Sequence, residues 1–126
     1  MTKAAQTKIS DEEILNDLIV DAIQDIKGKN ITKLDLRHLH DRPCNYFILC
    51  EGESNTQVNA IAERVKFRVK QDLNIAPHCT EGKVHSRWVL VDYFSTVVHV
   101  FYKDTRQFYD LDDLWGDAKV TQYEDI

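Results

Sequence analysis

Hydrophobic positions recur with a helical period near the start of the chain. Ile14, Leu15, Leu18, Ile19, Ala22, Ile23 and Ile26 fall on one face, which predicts an amphipathic helix. Ser10 and Glu13 have the spacing of a capping box at its start, and Gly28 is the expected left-handed stop. The period then changes. Leu34 and Leu36 alternate with Lys33 and Asp35, predicting a strand over about 31–36. After a loop punctuated by Pro43, the unbroken apolar run Tyr46-Phe47-Ile48-Leu49-Cys50 reads as a central strand covered on both faces. Gly52-Glu53-Ser54 turns the chain into a second long helix, with Ser54 and Gln57 as its capping pair. Its stripe is Val58, Ile61, Ala62, Val65, Val69 and Leu73, closed by Asn74 and Pro77.

The C-terminal half is richer in β pattern. A short strand is expected over about 77–81. Two strong runs, 88–93 and 97–102, are joined through Phe94-Ser95-Thr96 and predict an antiparallel hairpin. A last helix is expected over about 105–115, with Phe108, Leu111, Leu114 and Trp115 at helical spacing. The order α-β-β-α-β-β-β-α predicts an α/β fold: a mixed β-sheet of about five strands with flanking helices. Residues 10–115 form the expected domain, between a flexible N-terminus at 1–9 and an acidic C-terminal tail at 116–126.

The 126 residues suffice for one domain with its own core, without disulfides or structural metal. No apolar stretch approaches a membrane span, and the first ten residues lack a secretory apolar segment, so a cytoplasmic protein is expected. Cys44, Cys50 and Cys79 read as free thiols. The net charge is −5, and all of the excess lies at the C-terminal end: residues 104–126 carry 7 acidic against 2 basic side chains. That balance argues against binding bare nucleic acid and suits a basic protein partner, although such a block is also an ordinary solvated surface.

Candidate chemistry is sparse. Gly52-Glu53-Ser54 has the position of a phosphate-binding turn, yet no carboxylate follows among Asn55, Thr56, Gln57, Val58 and Asn59 to hold metal ions. An enzyme built there would need converging acids such as Asp35 and Asp92. His38, His40 and Cys44, and separately His78, Cys79 and His85, lack a standard zinc spacing, so no metal and no cofactor are expected. Neither Ser54 nor Ser95 sits in a nucleophile elbow, and His99, inside an alternating strand, reads as structural. What stands out is a set of large amphipathic side chains, Trp88, Tyr93, Tyr102, Tyr109 and Trp115, among Asp92, Asp110, Asp112 and Asp113. Such residues anchor protein interfaces, and two tryptophans serve equally well as core.

Several stretches together resemble the ribosome-silencing factor family, also called Iojap. Residues 45–65, NYFILCEGESNTQVNAIAERV, are similar to its D-Y-F-V-I-x-[ST]-G-x-S-x-x-Q-V segment. Glu81, Gly82, Trp88, Val89 and Asp92 follow in register, then VVHVF at 97–101 and R-x-F-Y-x-L-x-x-L-W at 106–115. The likeness spans about residues 10–115. It departs at Asn45, where Asp is usual, at Phe94-Ser95 in place of Gly-Asp, and at Asp112 in place of Glu.

The resemblance implies a nucleotidyltransferase-like fold without catalytic carboxylates, and a function that is not enzymatic. It implies binding to the large ribosomal subunit through large-subunit ribosomal protein fourteen, sterically blocking the small subunit and repressing translation. Family members also form homodimers; monomer or dimer stays open for this chain. Carried over by position, the partner-binding residues are Trp88, Val89, Asp92, Tyr109, Leu111, Asp112 and Trp115. In this expectation the aromatics and Leu111 fill apolar pockets, while Asp92 and Asp112 meet Lys or Arg on the partner. The rivals are a divergent nucleotide-binding enzyme and a dimeric adaptor without a ribosomal partner.

Overall fold

A computed structural model describes residues 10–126; the expected flexible segment 1–9 lies outside the described residues. The elements run α1 (Asp11–Asp25), β1 (Lys29–Asp35), β2 (Tyr46–Gly52), α2 (Asn55–Leu73) and β3 (Cys79–Glu81). Then come β4 (Trp88–Asp92), β5 (Thr96–Tyr102), α3 (Lys103–Tyr109), α4 (Leu111–Leu114) and β6 (Lys119–Gln122). The strands form one mixed sheet in the order β3-β4-β5-β2-β1-β6. Among the described residues, only β2 and β5 pair in parallel; the other neighbours are antiparallel.

The predicted signals at α1 hold at its start and change at its end. Ser10 Oγ accepts from the Glu13 amide, and the Glu13 carboxylate accepts from the Ser10 amide, completing the capping box. The left-handed residue at the other end is Lys27 (φ 63), not Gly28. Lys27 and Gly28 donate to the carbonyls of Gln24 and Ile23, a Schellman closure that needs one left-handed residue and places it one position earlier. Gly28 is required for packing instead. A Cβ there would lie 2.4 Å from the Ile23 side chain.

Alternation along the strands builds two apolar layers. Ile48, Cys50, Val89, Val91, Val98 and Val100 face α1 and α2, where Ile19, Ile23, Ile61, Val65 and Val69 complete the main core. On the other face Leu34, Leu36, Phe47, Leu49 and Phe101 form a smaller buried core with Leu111 and Ala118, closed by half-buried Trp88 and Trp115. Two long helices thus shield one face of the sheet, and two short ones shield part of the other. Tyr93 and Tyr102, expected in the aromatic surface cluster, pack with the main core on the shielded side.

Two further expectations change. The sheet has six strands, because residues 119–122, expected within an acidic tail, pair with β1 from Thr32↔Gln122 to Asp35↔Lys119. The single helix expected over 105–115 is two, broken at Asp110 (φ 48). Asp tolerates the left-handed region, and its carboxylate accepts the Asp113 amide at 3.3 Å, which starts α4 in a new direction. The bend turns Leu111 inward and leaves Phe108, Tyr109 and Leu114 exposed.

Candidate functional site

The partly covered sheet face carries a continuous chain of aromatic rings. Trp115 meets Phe47 edge-on at 5.8 Å, and Phe47 meets His99 at 4.5 Å. The Trp88 indole N–H donates to His99 Nδ1 at 3.0 Å, and the indole ring packs 4.9 Å from both Phe101 and Tyr109. Phe108 stands perpendicular to Tyr109 at 5.0 Å. The inner members Phe47, His99 and Phe101 are buried, Trp88 and Trp115 are half-buried, and Tyr109 and Phe108 are 53% and 80% exposed. The chain therefore grades from core to solvent across one face. A groove of about 580 Å³ opens where Trp88, Phe108 and Tyr109 meet the loop from Gly82 to Arg87.

The positions expected to bind a partner divide under this geometry. Trp88, Tyr109 and Trp115 lie together on the aromatic face. Val89 does not: it is fully buried, because successive strand residues point to opposite faces and Trp88 takes the open one. Leu111 is buried as well, in the smaller core with Leu34 and Phe47. Asp92 shares the open face but sits at the far end of β4, about 13 Å along the strand from Trp88. There its carboxylate accepts the Phe94 amide at 2.7 Å, shaping the hairpin turn. Phe94 adopts φ 68, a left-handed conformation, with its ring 4.3 Å from His78.

Asp112 is engaged inside the fold. Its two oxygens accept from Arg106 Nε at 3.3 Å and Nη2 at 3.0 Å. Arg106 is buried and also donates to the Asn30 carbonyl, Thr32 Oγ1 and Glu51. One guanidinium thereby ties α3 and α4 to β1 and β2, behind a polar cleft of about 600 Å³. The carboxylate expected to meet a partner's cation is thus already engaged by Arg106, while its side chain stays 38% exposed. Sequence reasoning missed Arg106 because its partners lie up to 76 residues away and no local pattern marks them. Phe47, His99 and Phe101 were missed as site members, although the alternation of Val97, His99 and Phe101 along β5 places them on one face.

His99 is neutral and buried within this aromatic layer. Burial drives its pKa down to about 4, so the ring is neutral near pH 7. Since Nδ1 accepts the indole N–H, the proton sits on Nε2, which has no hydrogen-bond partner among the described residues.

The phosphate-turn position is occupied by its own side chains. Ser54 Oγ accepts the Gln57 amide, and Gln57 Oε1 accepts the Glu53 amide at 2.7 Å. Gln57 thus caps through Glu53 and not through Ser54 as the expected box required. Gly52 sits close against α2, since a Cβ there would lie 3.0 Å from the Val58 amide nitrogen and side chain. Asp92 and Asp35 align with Val97 and Tyr46, at the opposite end of the sheet from Gly52, about 17–20 Å away. They do not converge on that turn. Among the described residues, no group of three or more His, Cys, Asp and Glu side chains is placed to share a metal ion. Burial raises the Cys50 thiol to about 12 and Cys44 to about 11.

The arrangement is suited to binding: broad flat side chains at the surface, backed by the packed rings of Phe47, His99 and Phe101. Comparison with known proteins gives that binding domain a family. Residues 8–126 match the family described as ribosomal silencing factor during starvation. A ribosomal silencing factor of Halalkalibacterium halodurans is 38% identical over 118 residues, covering 94% of this chain and 98% of the relative. One from Bacillus subtilis is 39% identical over 103 residues, covering 82% and 86%. The chloroplastic protein Iojap of Zea mays is 32% identical over 98 residues, 77% of this chain and 41% of that longer protein. A crystal structure from Chromobacterium violaceum superposes with a TM-score of 0.80 at 36% identity, covering 85% of this chain and 88% of that one. The chain belongs to the ribosomal silencing factor family, which makes it a ribosome-associated regulator of translation.

Proposed function

We propose that this chain docks through its aromatic sheet face onto large-subunit ribosomal protein fourteen and, by occupying that surface, keeps the small subunit from joining. The observation that carries the reading is the run Trp115–Phe47–His99–Trp88–Tyr109–Phe108, on the face away from the two long helices, whose half-buried Trp88 and Trp115 and exposed Tyr109 and Phe108 rest on buried Phe47 and His99. Trp and Tyr bury large area at little entropic cost, and they are frequent centres of binding energy. The contact set is Trp88, Tyr109 and Trp115, with Asp92 at the margin. Val89, Leu111 and Asp112 support it from within. The domain acts in the cytoplasm, where ribosomes assemble, and it works by steric exclusion and not by catalysis. A homodimer formed through the same rings would compete with ribosome binding.

The test is co-sedimentation with purified large subunits. Trp88→Ala and Tyr109→Ala each remove a central ring and should weaken binding by about thirtyfold, equivalent to about 2 kcal/mol, while remaining folded. Wild-type co-sedimentation by both folded variants would defeat the assignment of this face.

A further inference from the structure

We propose that His99 is a positioning residue for docking: by accepting the indole N–H of Trp88 it fixes which edge of that ring is turned inward and which is presented to the partner. This inference rests on the aromatic face being the docking surface.

Phe101 and Tyr109 pack against the indole at 4.9 Å, tilted by 31° and 45°. Ring-on-ring packing restrains the plane of an indole, but it does not select between orientations related by turning the ring over. A hydrogen bond does, because only one edge carries the N–H. Trp88 is half-buried, so its N–H would otherwise be free to find water in another orientation.

His99 is itself held still. Its ring meets Phe47 at 4.5 Å with an interplanar angle of 74°, and it lies nearly parallel to Phe101, 14° apart at 6.1 Å. An acceptor fixed on a central strand makes a rigid reference for a ring at the surface.

The second observation is a cost without a structural return. His99 is 4% exposed, and its Nε2–H is unpartnered among the described residues. A buried orphan donor destabilises the fold. Stability alone would favour an apolar side chain at this position, filling the same space in the layer of Phe47, Leu49 and Phe101. What histidine supplies and leucine does not is the acceptor at Nδ1.

The experiment separates binding from stability in the full chain. His99→Leu removes both the orphan donor and the acceptor. It should be at least as resistant to urea as wild type, yet bind large subunits about tenfold more weakly. His99→Asn places an amide oxygen near the position of Nδ1 while keeping a buried donor. It should be less stable than His99→Leu and bind about as well as wild type. The Trp88 indole N–H resonance, assigned against Trp115→Phe, should shift in His99→Leu and return toward its wild-type position in His99→Asn. If His99→Leu fails to fold, His99→Met takes its place with the same expectations. Wild-type binding by the folded Leu or Met variant, beside defective Trp88→Ala, would overturn the role of His99 and leave the docking face standing. Affinities that simply follow stability across the set would overturn it too. Normal binding by Trp88→Ala would remove the docking face, and this inference with it.

Discussion

Replacing Asp112 by Ala distinguishes a side chain that meets a partner from one that braces the fold. In the structure the carboxylate accepts two charge-assisted hydrogen bonds from Arg106, whose side chain is 9% exposed against 38% for Asp112. Breaking a fully buried pair costs about 3–5 kcal/mol, and breaking an exposed one costs about 0–1 kcal/mol. This pair lies between those limits. The guanidinium also keeps Glu51, Thr32 and the Asn30 carbonyl after the change. The expected loss is therefore about 2 kcal/mol of stability. With a urea dependence of about 2 kcal/mol per molar, the unfolding midpoint should fall by about 1 M, read by tryptophan fluorescence. Binding to large subunits, measured where the variant is fully folded, should stay within about threefold of wild type. An unchanged midpoint together with lost binding would refute this reasoning and return Asp112 to the partner surface.

Other consequences are open to equally direct measurement. His99 has its pKa lowered from 6.5 to about 4 by burial, so between those values the unfolded chain binds more protons than the folded one. Its contribution is therefore complete above pH 6.5 and is lost as pH falls toward 4, by up to about 3 kcal/mol. The difference in stability between wild type and His99→Leu should show that slope, and a flat difference would contradict the buried, neutral ring. Phe94 holds φ 68 while 69% exposed, so Phe94→Gly relieves a left-handed strain of about 1 kcal/mol and surrenders little buried area. A rise of a few degrees in the thermal midpoint is expected; a fall would mean that the contact with His78 outweighs the strain. Of the three thiols, Cys79 should react first with a native-state alkylating reagent, because Cys44 and Cys50 are buried and their pKa values are raised to about 11 and 12. Equal labelling of Cys50 would contradict its burial.

Much of this architecture was readable from period and punctuation. The stripes of α1 and α2, the Ser10 cap and the β4–β5 hairpin follow local rules that the sequence states openly. The parts that were hidden depend on distant partners. β6 has four exposed residues and one large apolar side chain, Val120, so its pattern resembles a solvated tail until β1 provides the pairing groups. The break at Asp110 depends on a local carboxylate–amide bond competing with helix continuation, which helical spacing alone does not register. At the site, Trp88 and Tyr109 were visible as amphipathic residues near the C-terminal end. Val89 was carried along as a neighbour in the motif, though strand alternation sends it into the core. Arg106 and Asp112 became a brace only once the Arg106 side chain reached Asn30 and Thr32 on β1 and Glu51 on β2, and no spacing rule records those contacts.

In the proposed function, an aromatic surface excludes one ribosomal subunit by occupying the other. Purified small and large subunits, mixed with increasing amounts of the protein and resolved on a sucrose gradient, test it most directly. Joined ribosomes should decline as protein is added, the protein should travel with the large-subunit peak, and Trp88→Ala should leave joining undisturbed. Undiminished joining at saturating wild-type protein, or equal inhibition by the Trp88→Ala variant, would contradict it.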